Sequence, residues 1–272
     1  MIAVYDQYPS HPEQPGQYPA APPVHRKPEV FESIGAGFKL ALRNKLLCIG
    51  AVLGFVLAFS LIIFGIGFFF AWKSGGNSAE VGTAEYQTTL NIVSTVITLL
   101  FSLLYPFAYY GAVRIVDANG KIDGGEPFRP PHFKDTLLAS LTLTVLSIVI
   151  TGPLAFTGPS KLIALQIVSF VLTIALFFLY PFIAFWPYAA SAGYGFQGGL
   201  KESIAIGKRH YFPILGLAIM LALITFAMTI LGIITLVLWL VTIPLAMSVT
   251  WIAYAYFFRA ASTPRQAITP LS

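Results

Sequence analysis

Few side chains in this sequence are equipped for chemistry. The histidines are His11, His25, His132 and His210, and Cys48 is the one cysteine. None falls in an HExxH helix or a CxxC pair, the spacings that bring two ligands to one metal. No GxSxG elbow presents a nucleophilic serine, and no glycine-rich loop is set to cradle phosphate. His132 has Lys134 and Asp135 beside it, a pattern more typical of a solvated loop than of a site. Asp117, Asp123 and Glu126 could face a cation, but "DANGKIDGGEPF" lacks the calcium-loop spacing and reads as a turn-rich loop. Catalytic, metal and cofactor roles are therefore not expected.

What remains is hydroxyl and amide groups at helical spacing. Asn91, Thr95, Thr98 and Ser102 recur at intervals of 4, 3 and 4, as do Ser140, Thr144, Ser147 and Thr151. Each set falls on one helix face. Gln166, Ser169 and Thr173 form a third, shorter stripe. Such stripes either line a polar path for a small solute or bond helices to one another, and the second is the commoner use.

These residues lie in long apolar runs. The chain of 272 residues is 57% hydrophobic and 10% charged, where a soluble domain carries about 25% charge. Six runs without Asp, Glu, Lys, Arg or His, 46–72, 89–113, 137–156, 162–190, 212–231 and 235–258, read as membrane-spanning helices. The last two are divided at Gly232, where a tight turn is easiest. Residues 1–28 contain no apolar core, so the first span is expected to be an uncleaved anchor. Ion-coupled carriers and voltage sensors place charge inside the membrane, so the uncharged spans argue against both.

Basic residues are distributed asymmetrically. Arg26, Lys27, Lys39, Arg43, Lys45, Arg114, Lys121, Arg129, Lys134, Lys201, Lys208, Arg209, Arg259 and Arg265 fall on one side, and Lys73 and Lys161 on the other, 14 against 2. The positive-inside rule places both termini in the cytoplasm. The basic excess is what topology alone requires, so nucleic acid is not an expected partner. Lys39, Arg43, Lys208, Arg209 and Arg259 are candidates for contact with lipid head groups.

Three segments resemble one another. "GFK" at 37–39, "HFK" at 132–134 and "GLK" at 199–201 each precede an outgoing span, and "LYPF" recurs at 104–107 and 179–182 in returning spans. The expected fold is all-α: six transmembrane helices as three hairpins, both termini inside, with amphipathic approach helices on the cytoplasmic face. Phe31, Ile34, Phe38 and Leu42 would form the interfacial face of the first approach helix, over 29–45. Pro106 and Pro181 would kink the returning helices and are candidate hinges, with the nearby tyrosines forming an interfacial belt. Gly50, Gly54 and Ala58 make a small-residue ladder suited to close helix packing. Residues 1–28, with seven prolines, form a disordered cytoplasmic tail, 29–260 the membrane domain and 261–272 a short cytoplasmic tail.

"GAGFKLALRNKLL" and "GGLKESIAIGKRHYFPILG" leading into spans, with returning helices that end in aromatic runs, resemble uncharacterised bacterial multi-pass proteins of actinobacterial appearance. They are similar to the membrane domain fused to some glycerophosphodiester phosphodiesterases. The resemblance implies a multi-pass bundle over about 31–260 in a bacterial plasma membrane. It carries over no catalytic residue, because the phosphodiesterase domain has no counterpart here. The expected function is non-enzymatic, as an accessory or scaffold subunit of a membrane or envelope complex. Its partners would be membrane lipids, with other membrane proteins through the bundle or the tail. The alternative is a permease or lipid-handling protein.

Overall fold

A computed structural model describes residues 28–73, 84–156, 163–234 and 236–262. Residues 1–27, 74–83, 157–162, 235 and 263–272 lie outside the described residues. The described chain is helical: α1 (Val30–Arg43), α2 (Lys45–Lys73), α3 (Ala84–Ser102), α4 (Tyr105–Ala118), α5 (Phe133–Phe156), α6 (Ile163–Ile183), α7 (Trp186–Ala189), α8 (Gly195–Ile234) and α9 (Leu236–Ala261). A 3-10 turn, Glu126–Phe128, lies between α4 and α5, and a π-helical turn, Ala190–Tyr194, between α7 and α8.

Among the described residues, four stretches are long and apolar enough to cross a membrane: Asn91–Ala118, Phe133–Ile150, Phe170–Ile230 and Val241–Ala261. The third is 61 residues, about three times what one crossing needs. It reverses through the turn at Ala184–Phe185 and the positive-φ glycines Gly193 and Gly195, and its two legs, α6 and α8, pack together. Helix α8 bends at His210 (φ −129°, ψ 33°). Pro213 lies three residues on, with no N–H to give and a ring that crowds the preceding turn. The bend separates an approach segment from the spanning segment.

The core lies where approach helices meet returning ones. Helix α1 packs on α9, the start of α5 on α4, and the start of α8 on α6 and α7. The starts of α5 and α8 thus rest on the helices that precede them, and α1 rests on the last helix, α9. Glycines make these seams possible. A Cβ on Gly37 would lie 2.8 Å from Val249 O, one on Gly199 3.0 Å from Ala190 N, and one on Gly207 2.7 Å from Pro181 O. Backbones approach this closely only where no side chain intervenes. The glycines of "GFK" and "GLK" are therefore packing positions.

Several expectations change. Helix α1 buries Ser33, Ile34, Gly37, Leu40 and Ala41, whereas Phe31 is 75% and Leu42 53% exposed. The predicted interfacial stripe is split because the small-residue face wins the contact with α9. The run over 89–113 is two helices. Helix α3 ends at Ser102 and α4 restarts at Tyr105, with Pro106 in its first turn, where a missing N–H costs nothing. The expected reversal at Gly232 falls inside α8, which continues to Ile234; glycine is tolerated in membrane helices. Among the described residues, Gly50 and Gly54 face open space, since a Cβ at either position meets no atom within 4 Å.

Candidate functional site

Helices α4, α6, α7 and α9 deliver aromatic rings to one buried point. Tyr109 of α4 meets Tyr188 of α7 edge-on at 4.8 Å, and Tyr188 stacks on Tyr254 of α9 at 6.3 Å. Tyr180 of α6 meets Tyr254 edge-on at 6.2 Å, and Phe185 stacks on Phe257 at 5.5 Å with an interplanar angle of 3°. Tyr188 and Tyr254 are buried and Tyr109 and Tyr180 half-buried, so these rings cluster inside the bundle instead of forming the expected lipid-facing belt. Offset and edge-on aromatic pairs contribute about 0.5–1.5 kcal/mol each beyond their buried area. The cluster locks these helices together.

Beside it lies an open cleft of about 530 Å³ between α6, α8 and α9. Tyr180 and Tyr254 form its floor where it meets the aromatic cluster. Ala218, Leu221, Ala222 and Phe226 give apolar walls, and Thr225, Thr229 and Thr250 place hydroxyls among them. The Thr229 hydroxyl donates to Thr225 O at 2.8 Å and the Thr250 hydroxyl to Ala246 O at 2.9 Å. With their protons committed to the helix, both oxygens are left as acceptors. Among the described residues no charged side chain lines the cleft. Small-molecule sites typically occupy about 300–1,000 Å³ with mostly apolar walls and a few polar groups. A second crevice, against Cys48, Ser248 and Phe128, holds only about 60 Å³.

The predicted polar stripes line neither of these cavities. Ser102 is fully buried, Thr95 and Thr144 are half-buried, and Thr98, Ser147 and Thr173 are exposed. Thr95, Thr98, Ser102 and Thr144 donate to carbonyls of their own helices, Asn91 O, Ser94 O, Leu99 O and Ser140 O. Thr151, Gln166 and Ser169 lie outside the residues whose side chains are described. The residues that sequence reasoning passed over are Thr225 and Thr229. Their spacing of four on one helix is the same signal that marked the other stripes.

The candidate head-group residues divide. Lys39 and Lys208 are exposed. Arg209 is exposed and donates to Ala205 O, and Arg43 is exposed and donates to Asn119 O. Arg259 is half-buried, paired with Asp117 of α4 and positioned 5.8 Å from the Phe258 ring centroid. Arg114 pairs in the same way with Glu126 at 3.0 Å. Both pairs are about a third exposed, so each contributes modestly. Their role is to tie α4 to α9 and to the connecting loop. Pro106 caps a helix start, whereas Pro181 lies inside α6 near its end. The Tyr211 hydroxyl donates to Phe178 O at 3.1 Å, which brings an outside donor to the backbone disturbed by Pro181.

No protein-family model matches this chain, and neither does any curated protein sequence or solved structure. Among the described residues no group of three or more His, Cys, Asp or Glu is placed to hold a metal.

Proposed function

We propose that this chain is a non-enzymatic integral protein of a bacterial plasma membrane that handles a membrane lipid in the cleft between α6, α8 and α9. It crosses the membrane six times as three hairpins, with both termini in the cytoplasm. The asymmetry of basic residues supports that topology. The observation that carries the lipid reading is the cleft itself, apolar, uncharged and studded with hydroxyls, in helices long enough to span. It favours the lipid-handling expectation over the accessory subunit. The polar path drops out of the reading, because Thr98 and Thr173 face outward.

A photoactivatable, clickable fatty acid, fed to cells making the protein and incorporated into all their lipids, tests this. After irradiation, cross-linked peptides should concentrate at 218–229 and 250–254. Cross-links confined to outward residues such as Leu57, Leu61 and Phe64 would mean that lipid only surrounds the bundle.

One observation keeps the accessory reading as second. Pro28, the first described residue, is buried, and α1 is packed on α9, so the point where the tail joins is fixed on the bundle. A stoichiometric partner recovered in native lipid, and lost when residues 1–27 are deleted, would favour it.

A further inference from the structure

The cleft also has a chemical preference, and this inference rests on the lipid-handling reading. We infer that its occupant is a neutral lipid alcohol, a molecule of the diacylglycerol kind with a free hydroxyl and no phosphate.

The argument begins with what surrounds the space. Five hydroxyl-bearing residues, Tyr180, Thr225, Thr229, Thr250 and Tyr254, reach it from three helices, and every other lining residue is Ala, Leu or Phe. A phosphate-bearing head group would enter with a full negative charge. In a low-dielectric site that charge must be paired or pay heavily for lost water. Arg259, five residues past Tyr254 on α9, is already paired with Asp117, and the cations nearest along α8, Lys208 and Arg209, precede Ala218 by nine residues or more. At 1.5 Å per residue that is about 13 Å along the axis, out of hydrogen-bond reach. The His210 bend also lies between them and the cleft.

A hydroxyl head group fits what is present. The Thr229 and Thr250 oxygens are acceptors, since their protons are committed to Thr225 O and Ala246 O. They suit a ligand that can donate. An ester-only or purely hydrocarbon ligand would leave them unanswered in a dry site, at a cost comparable to a lost hydrogen bond. The volume of about 530 Å³ accommodates a polar head and part of a chain. The remaining chain would leave past Phe226, which is 65% exposed, into the surrounding lipid. The Tyr180 and Tyr254 floor closes the other end.

The full chain would be reconstituted in phosphatidylcholine nanodiscs with a photoactivatable, clickable diacylglycerol. Unlabelled diacylglycerol should abolish labelling at 218–229 and 250–254. Phosphatidylglycerol with the same chains should leave it unchanged at equal concentration. Thr229→Val with Thr250→Val should reduce labelling about tenfold, as expected for two lost hydrogen bonds, while the matching serine pair keeps it. Phosphatidylglycerol competing as well as diacylglycerol, or the valine pair labelling like the wild type, overturns the inference and leaves the cleft as a lipid site of another class. Labelling that neither lipid displaces, mapping away from these peptides, overturns the inference and the lipid-handling reading together. Should the valine pair fail to fold, the competition between the two lipids decides alone.

Discussion

Gly207→Ala should destabilise the protein by about 1–3 kcal/mol, the usual cost of overpacking, although alanine gains about 1 kcal/mol over glycine as a helix former. The added Cβ would lie 2.7 Å from Pro181 O, 2.8 Å from Phe182 Cα and 2.9 Å from Phe182 Cδ1. Two of these are backbone atoms of α6 near its end, which cannot rotate aside. Helix α8 would have to separate from α6, stretching the Tyr211–Phe178 bond one turn away. In thermal unfolding the midpoint should fall by about 2–12 °C, taking about 2–4 °C per kcal/mol for a chain of this size. Gly50→Ala is the control: its Cβ would meet nothing within 4 Å, so its midpoint should hold or rise slightly. Equal effects at the two positions would mean that the seam between α6 and α8 is not closed as described. Because α6 and α8 both contribute to the cleft, a shift of one helix from the other in Gly207→Ala should weaken lipid retention as well.

Asn44→Leu should have a comparable effect by a different route. Asn44 is 6% exposed at the elbow between α1 and α2. Its amide donates to Leu40 O at 3.0 Å and to Gly120 O at 2.8 Å, and its carbonyl oxygen accepts from Ile122 N at 3.1 Å. One side chain thus ties the first hairpin to the loop after α4. The turn is completed by Asn119, which adopts the left-handed region (φ 45°) that asparagine tolerates. Leucine has a similar shape but no hydrogen-bonding groups, so Gly120 O and Ile122 N lose their partner. Each group left unsatisfied costs about 1–3 kcal/mol when buried. Released from Asn44, the loop should be cut by trypsin at Lys121, which is exposed, several-fold faster than in the wild type. Digestion of inside-out vesicles measures this, and an unchanged cutting rate would refute the tie. Asn44→Asp should behave no better, because a carboxylate turned toward two carbonyl oxygens repels them.

Much of this was legible in the chain, for definite reasons. Runs such as 137–156, with no ionisable residue, have few alternatives to a membrane helix. The "GFK" and "GLK" echoes marked real positions, but not their purpose. A glycine's value lies in the backbone it admits, Val249 for Gly37 and Ala190 for Gly199, and those residues are far away in sequence. "LYPF" misled for a similar reason. In its first copy the chain breaks just before Tyr105 and Pro106 begins a helix, while in its second Pro181 stays inside α6. Four identical letters gave two geometries because the second proline is held in a seam against Gly207. The tyrosine cluster gathers residues from 109 to 254, which no local pattern can join. The cleft follows from it. Thr225 and Thr229 were visible as a stripe, but only tertiary packing brings Thr250 and the two tyrosines opposite them.

The lipid reading stands most directly on one measurement. The protein and its Ala222→Trp variant would be extracted from the same membranes and released into the gas phase from detergent, with bound lipid counted by mass. Ala222 lines the cleft wall, and an indole there would fill much of the space without touching the glycine seams. The wild type should retain a single lipid under conditions that strip surrounding lipid, and the variant should lose it while keeping its unfolding temperature. Wild type and variant carrying the same lipids, shed together as conditions harden, would contradict the account.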